Sequence, residues 1–143
     1  MIDKQDFYHG AALAGLISHS EFESIKKNDD GFVVGNCFIM FKYRTKTASP
    51  WQFSLQPQEI EHLNKHSKSY EQIVIGFICG ADGICSLFWH ELLTVIEESN
   101  AWVTVRCGFK GRYGVSGSKG TLPFKVPRKR WPELLFKENA GAL

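Results

Sequence analysis

The segment Gln72–Cys79 is an almost unbroken run of apolar residues, and it constrains the fold of this 143-residue chain more than any other segment. A short apolar run that ends at turn residues is typical of a strand buried on both faces at the centre of a sheet. The four residues 80–83, Gly-Ala-Asp-Gly, then reverse the chain into a second apolar segment, 84–89. The sequence therefore predicts a central β-hairpin.

A second apolar run, 37–43, ends with a lysine and a tyrosine, and the turn-aromatic sequence Ser-Pro-Trp-Gln-Phe follows it at 49–53. Alternate side chains of a strand lie on the same face. One face is expected to carry Phe38, Met40, Lys42 and Arg44, and the other Ile39, Phe41 and Tyr43. The pattern places the Lys42 cation at the end of a strip of apolar side chains.

Helix and strand patterns cover most of the remaining chain. Helices are predicted from their start residues and apolar stripes at 3–18, 57–67 and 90–99. The segment 21–27 fits either a helix or a strand. Further strands are predicted at 32–36, 51–55, 102–107, 112–116 and 121–126. Together these elements predict an α+β fold in one domain, with a mixed β-sheet flanked by helices.

Size and composition indicate a single globular domain. The chain has a mass of 16.2 kDa and is 43% hydrophobic, which suits one core rather than two. Its N-terminus carries acidic residues, and no apolar stretch approaches the roughly 18 residues of a membrane span. A cytoplasmic protein without a membrane partner is therefore expected.

The four cysteines, Cys37, Cys79, Cys85 and Cys107, contain no C-x-x-C pair. They lie mostly in apolar segments, which predicts buried thiols in a reducing compartment and no metal site. Cys79 and Cys85 flank the predicted hairpin turn, so a disulfide between them is an alternative.

Charge is distributed unevenly along the chain. Residues 1–100 contain 8 lysines and arginines against 13 acids, a net charge of −5, whereas residues 101–143 contain 9 against 2, a net charge of +7. A basic segment of this kind attracts polyanions or an acidic protein surface. The same asymmetry is also compatible with a basic segment that only neutralises the acidic part of its own fold.

The order helix, strands, helix and strand hairpin over about 3–96 is similar to the αβββαβ core of the restriction-endonuclease-like superfamily, PD-(D/E)xK. The segments 38–43 and 49–53 carry this resemblance. Through its lysine-tyrosine and Ser-Pro-Trp elements the chain also resembles a poorly characterised bacterial family. The resemblance implies a nuclease-like core and a role in bacterial defence or DNA maintenance. Beyond that core, the predicted C-terminal strands form a basic antiparallel extension at about 101–136.

In that superfamily a lysine acts beside carboxylates that hold a divalent metal ion. Lys42 matches the lysine, but Met40 occupies the position of the second acid, and Val33 or Asn36 occupies that of the first. The resemblance therefore implies a scaffold without catalysis and without a cofactor. The alternative is a residual Mg²⁺-dependent nuclease whose acids come from other positions, namely Glu21, Glu23, Asp29 or Asp30.

Two sets of residues are candidates for contact with nucleic acid. The first contains Lys42, Arg44 and Lys46 for phosphates and Trp51 or Tyr43 for stacking on a base. The second contains the cations of the C-terminal segment, namely Arg106, Lys110, Arg112, Lys119, Lys125, Arg128, Lys129 and Arg130. Structural roles are the alternative in each case, with Lys42 along apolar neighbours, Trp51 in the core, and exposed cations that protect a sheet edge from aggregation.

The sequence thus predicts a non-catalytic protein that binds nucleic acid or a nucleic-acid-processing partner. A protein-interaction module, such as an immunity or adaptor protein or a homo-oligomer, is the alternative. The loop 116–120 contains Gly, Ser and Lys but lacks the order of a phosphate-binding loop, so a hairpin turn is predicted there.

Overall fold

The computed structural model describes residues 1–28 and 30–136, which fold into two β-sheets with helices around them. The helices are α1 Lys4–Ile17, α2 Pro57–His66, α3 Trp89–Leu92 and α4 Arg130–Glu133. Among the described residues, no helix is long and apolar enough to cross a membrane. The strands are β1 Lys26–Asn28, β2 Gly31–Val34, β3 Cys37–Arg44, β4 Trp51–Ser54, β5 Gln72–Cys79, β6 Gly83–Phe88, β7 Trp102–Cys107, β8 Arg112–Gly117 and β9 Val126–Pro127. The predicted α+β class, one small domain with a mixed sheet flanked by helices, is confirmed.

The first sheet has the strand order β1-β2-β3-β5-β6. Its neighbouring strands run antiparallel except β3 and β5, which run parallel with Lys42 beside Phe77 and Arg44 beside Cys79. The predicted central hairpin is present as β5 and β6, and Gly80 begins its turn with a φ of 56°. β3 and β5 therefore end side by side, next to this turn.

The second sheet is antiparallel, with the strand order β4-β7-β8-β9. The predicted strand at 51–55 is present as β4, but it pairs with β7 and so lies outside the sheet that contains β3. Trp51 and Phe53 of β4 are buried, whereas Gln52 and Ser54 are exposed. The C-terminal antiparallel strands therefore form one layer together with β4.

The hydrophobic core has two parts, one on each face of the first sheet. One part lies between the two sheets and contains Met40 of β3 and Trp51 of β4. The other part lies against α1 and α4 and contains Phe41 of β3 and Trp131 of α4, whose ring centroids are 5.3 Å apart. The side-chain alternation predicted for 37–43 is therefore confirmed.

The predicted helix at 90–99 is confined to the single turn α3. Beyond α3, a distant turn supplies the hydrogen bonds that a longer helix would have made. The Lys119 N–H donates to the Val95 carbonyl at 2.8 Å, and the Glu97 N–H donates to the Ser118 hydroxyl oxygen at 2.9 Å. The apolar residues after α3 have a helical spacing, but they belong to an irregular segment that packs in the core.

Of the predicted strand at 121–126, only Val126 lies in a strand, the two-residue β9. Pro123 has no N–H to donate to a neighbouring strand, and Thr121 makes only an isolated bridge with Ser116. The hairpin turn predicted at 116–120 is present, closed by a hydrogen bond between Gly117 N–H and the Gly120 carbonyl at 2.8 Å.

The four cysteines are free thiols. Cys85 lies opposite Phe77 rather than Cys79 in the central hairpin, so the alternative disulfide is not formed. Burial raises the pKa of the Cys37 thiol to about 11 and that of the Cys79 thiol to about 12. Both groups therefore stay protonated at neutral pH.

Candidate functional site

Basic residues that are distant in the sequence meet at one end of the molecule, where the parallel strands β3 and β5 end. The turn 80–83 lies at the centre of this end, and its Gly80 N–H donates to the Arg44 carbonyl at 2.8 Å. A side chain at Gly80 would collide with the Lys46 carbonyl oxygen, so the loop after β3 packs directly on the turn. Two basic clefts flank this turn.

The first cleft has a volume of about 460 Å³ and is lined by Lys4, Tyr43, Arg44, Thr45 and Lys46. The structure thus brings together Arg44 and Lys46 from the predicted set, and both are exposed. Lys4 joins them because α1 packs beside β3, where the Tyr43 ring stacks on Tyr8 with centroids 4.9 Å apart. Nothing local in the sequence indicates this contact, so Lys4 was not predicted.

The second cleft has a volume of about 800 Å³ and lies beside β8 and β9. Its lining is basic around one aromatic ring and consists of Lys110, Gly111, Arg112, Phe124, Lys125, Pro127, Arg128 and Lys129. Five predicted cations therefore come together here, namely Lys110, Arg112, Lys125, Arg128 and Lys129. The lining of this cleft carries five cations and no carboxylate.

Asp82 connects the second cleft to the turn 80–83. Its carboxylate accepts hydrogen bonds from the Arg128 guanidinium at 2.7 to 3.1 Å and from the Tyr113 hydroxyl at 2.6 Å. Burial by itself raises the pKa of Asp82, but the bonds from Arg128 and Tyr113 outweigh it and hold this pKa below its usual value. Burial and the bond to Asp82 raise the pKa of Tyr113 above its usual range. One turn thus contacts the residues of both clefts.

Lys42 lies beside the carboxylate of Glu59, a contact that was not predicted. Its ammonium donates to both carboxylate oxygens of Glu59, at 2.9 and 3.0 Å. Glu59 also accepts the Gln56 N–H at 2.8 Å and so caps the start of α2. The sequence shows Glu59 only as an acid in the first turn of a helix, because the ion pair depends on how α2 packs against β3.

The acids considered for a displaced metal site lie elsewhere. Glu21 and Glu23 line a third cleft, of about 540 Å³, near the start of β3 and beside Cys37. Lys42 lies five residues further along that strand, about 16 Å away. Asp30 pairs with His62 at 3.3 Å, and Asp29 falls outside the described residues. In the described part of the chain, no three His, Cys, Asp or Glu side chains are grouped to hold a metal ion.

Two predicted contact residues are buried. Trp51 is 2% exposed, and its indole N–H donates to the Lys46 carbonyl at 2.8 Å. The structure thus places Trp51 in the core and leaves no ring face exposed for stacking on a base. Arg130 is also 2% exposed, with its guanidinium 2.9 Å from the Glu91 carboxylate and over the Phe88 ring. Arg130 therefore faces the interior rather than a phosphate.

Two further predicted cations are exposed but lie away from the turn 80–83. Lys119 belongs to the hairpin turn at the far end of β8, and its N–H is bonded to the Val95 carbonyl. Arg106 is exposed on β7, opposite Gly114 of β8. Lys119 is therefore separate from both clefts, whereas Arg106 lies on the sheet whose edge forms the second cleft.

Comparison with known proteins gives no match: no family model fits the chain, and no curated protein or solved structure is significantly similar to it. The chemical properties of the site are therefore inferred from the side chains that line it. Eight exposed cations line the two clefts, namely Lys4, Arg44, Lys46, Lys110, Arg112, Lys125, Arg128 and Lys129. Such an arrangement can neutralise several phosphate groups or an acidic protein surface.

Proposed function

We propose that the protein binds nucleic acid through the two basic clefts and does not cleave it. The observation that carries this proposal is the convergence of eight exposed cations around the turn 80–83, with no carboxylate in the lining of either cleft. Each cation placed on a phosphate releases condensed counterions, which favours binding most strongly at low salt. Cations from α1, from the end of β3 and from the C-terminal strands all contribute, so the surface depends on the fold.

The surroundings of Lys42 support the part of the proposal that excludes cleavage. Metal-assisted cleavage of a phosphodiester needs carboxylates that hold the metal ion. Met40, at the position of the expected acid, is 3% exposed in the core, and the Lys42 ammonium is paired with Glu59. Together with the resemblance to restriction-endonuclease-like proteins, these contacts support a nuclease-like scaffold that acts in bacterial defence or DNA maintenance. A cytoplasmic location belongs to the same proposal.

The proposal is tested by fluorescence anisotropy with labelled single-stranded DNA, duplex DNA and RNA over a range of salt concentrations. The variant Lys125→Gln/Lys129→Gln is expected to lower the salt slope by about two, one for each lost phosphate contact. The matched control is Lys65→Gln/Lys68→Gln, which removes two exposed lysines from a cleft on α2 that also contains Glu61 and Glu98.

Cleavage is checked on the same samples by gel analysis in the presence of Mg²⁺, and no products are expected. Absence of salt-dependent binding to any probe would reject the proposed function. Equal binding by the cleft variant and the control variant would reject the second cleft as the site. Mg²⁺-dependent products that disappear in Lys42→Ala would replace the proposal with a residual nuclease.

A protein partner or a second copy of the chain is the second candidate, because apolar side chains are exposed on α1 and on the residues just before it. Four of the five exposed large hydrophobic residues in the described part of the chain are Met1, Ile2, Phe7 and Ile17. If they form an interface, sedimentation velocity will show an assembly that Phe7→Ser/Ile17→Ser dissociates. A wild-type monomer at every concentration tested would reject self-association through α1.

A further inference from the structure

The second sheet has an outer face that points away from the core. The strands β4, β7 and β8 alternate, so that Val103 and Val105 are buried while Trp102 and Arg106 are exposed. By the same alternation, the outer side of these strands carries Gln52, Ser54, Trp102, Thr104, Arg106, Arg112, Gly114 and Ser116. Thr104, between Trp102 and Arg106, is buried at 4% exposure, so the exposed groups of β7 on this side are Trp102 and Arg106. β4, β7, β8 and β9 contain no aspartate or glutamate. This outer face is therefore polar and basic.

Trp102 differs from the other tryptophans of the chain. Its exposure is 42%, whereas Trp51, Trp89 and Trp131 are 2%, 4% and 7% exposed and belong to the core. An exposed indole in a sheet that is otherwise polar on this side offers a large flat apolar surface to a ligand. The alternation of Trp102 with the apolar Val103 and Val105 is visible in the sequence and indicates an outward ring, but Trp51 or Tyr43 was predicted to stack on a base.

The register of the strands orders the outer face into rows. Trp102 lies beside Ser54, Thr104 lies in the next row, and Arg106 lies beside Gly114. Arg106 lies four positions after Trp102 on β7, which corresponds to a distance of about 13 Å along the strand. A Cβ on Gly114 would lie 2.9 Å from the Lys125 ammonium, so the missing side chain lets this cation lie against the strand. The outer face therefore changes from an aromatic row to a cationic row along β7.

The cationic row is continuous with the second cleft. Lys125 lies over Gly114 on the outer face and also lines the cleft. Arg112 begins β8, lies beside Pro127 of β9, and lines the same cleft. The cations of the second cleft therefore continue onto the outer face, in the direction of Trp102.

We infer that a single strand of nucleic acid crosses the outer face, with a base stacked on the Trp102 indole and phosphates on Arg106, Lys125 and Arg112. This inference rests on the proposed nucleic-acid binding and specifies its form. An unpaired base offers its flat face to an aromatic side chain, whereas the bases of a duplex are stacked on one another. A cationic track beside an exposed aromatic ring is the combination that binds single strands with little dependence on sequence.

The test compares a thymine oligonucleotide of about 12 nucleotides with the same strand in a duplex, at low salt. Tryptophan emission is the readout, because Trp102 is the most exposed of the four tryptophans. The single strand is expected to quench the emission of the wild-type protein. Trp102→Ala removes most of this quenching and weakens single-strand binding roughly tenfold, whereas Trp102→Phe keeps part of the affinity.

The matched control is Phe7→Ala, which truncates an aromatic residue that is 65% exposed on α1. It is expected to bind both probes like the wild type. Urea unfolding of Trp102→Ala and Trp102→Phe separates a lost contact from a lost fold, and the phenylalanine variant carries the comparison if the alanine variant unfolds.

Retained binding with unchanged affinity and quenching in Trp102→Ala overturns this inference and leaves the basic clefts as the binding site. Equal weakening of duplex binding also overturns it, because Trp102 then acts on something other than an unpaired base. Absence of salt-dependent binding of every probe to the wild-type protein rejects the proposed function, and the inference with it.

Discussion

At the scale of single residues, two ion pairs lie in opposite surroundings. The side chains of Arg130 and Glu91 are 1% and 7% exposed, whereas those of Arg128 and Asp82 are 42% and 24% exposed. A buried pair has lost its hydration, so the removal of one partner leaves a charge without compensation. A half-exposed pair keeps part of its hydration, and Arg128 affects stability mainly because it lowers the pKa of Asp82. These differences give two predictions.

The variant Glu91→Gln is expected to lower the free energy of unfolding by about 3 to 5 kcal/mol. Its amide oxygen can still accept the Phe88 N–H, which Glu91 accepts at 2.9 Å, but the Arg130 cation loses its counter-charge. Urea denaturation measures the loss, and Glu61→Gln on the exposed side of α2 is the matched control. The double variant Glu91→Gln/Arg130→Met recovers most of the stability, because it removes the buried cation as well. A single-variant loss as small as that of the control would contradict this account.

The Asp82 carboxylate is expected to make stability depend on acid pH. Its pKa is held below its usual value when folded, against about 3.9 in the unfolded chain. The contribution is therefore fully present above about pH 4 and is lost as pH falls through the folded pKa, because the unfolded state then binds the proton first. The difference in unfolding free energy between wild type and Asp82→Asn should be constant near neutral pH and shrink below about pH 4. A difference that stays constant down to pH values below the folded pKa would contradict the assignment.

The sequence predicts which single side chains of the candidate site are cationic, but not which side chains contact one another. The cationic character of Arg44, Lys46 and the C-terminal residues is visible in the sequence and recurs in the clefts. The partner of Lys42 is not visible, because the contact with Glu59 joins elements that meet only in the folded protein. Trp51 and Trp102 each begin a strand whose side chains alternate in polarity. The residue after Trp51 is the polar Gln52, which indicates an inward Trp51 ring, whereas the residue after Trp102 is the apolar Val103, which indicates an outward Trp102 ring.

At the scale of elements, two glycines give the same substitution opposite effects. Gly10 is in the interior of α1, and no atom lies within 4 Å of a Cβ placed on it. Gly80 has a φ of 56°, and a Cβ there would collide with the Lys46 carbonyl oxygen. Gly10 therefore lowers the stability of α1 without allowing any closer packing, whereas the turn between the clefts requires a glycine at position 80.

Gly10→Ala is therefore expected to raise the free energy of unfolding by about 0.5 to 1 kcal/mol. Gly80→Ala is expected to lower it by more than about 1 kcal/mol and to weaken nucleic-acid binding by the first cleft. Each variant serves as the control for the other, since both replace hydrogen by methyl, and urea denaturation measures both. An unchanged or higher free energy of unfolding for Gly80→Ala would show that the turn tolerates a side chain.

Elements whose signals are local could be predicted, and elements that depend on distant partners could not. The central hairpin and α2 follow from apolar runs, turn residues and Pro57, and they are present as predicted. The segment after α3 has helical spacing, but its backbone is bonded by Lys119 and Ser118 from another turn. The alternation in β4 predicts a strand but cannot state which sheet the strand joins.

At the scale of the whole molecule, the fold combines charges that the sequence keeps apart. The basic C-terminal third was predicted to attract polyanions, and its cations form the second cleft. Lys4, Arg44 and Lys46 come from the acidic first hundred residues, yet they line the first cleft on the other side of the turn 80–83. The net charge of each segment thus indicates a basic surface but underestimates its extent, because it does not show that the start of α1 and the end of β3 lie together in the fold.

A ligand long enough to reach both clefts should therefore depend on both, and a short one on only one of them. For a single strand of about 16 nucleotides, neutralising Arg44 and Lys46 and neutralising Lys125 and Lys129 should each lower the salt slope, and the combined variant should lower it by the sum. For a strand of about 4 nucleotides, the combined variant should bind no more weakly than the more affected of the two parent variants. Anisotropy over a salt series measures both lengths. If the long strand responds to one pair of substitutions alone, the two clefts do not act on one ligand, and the basic end of the molecule contains a single binding site.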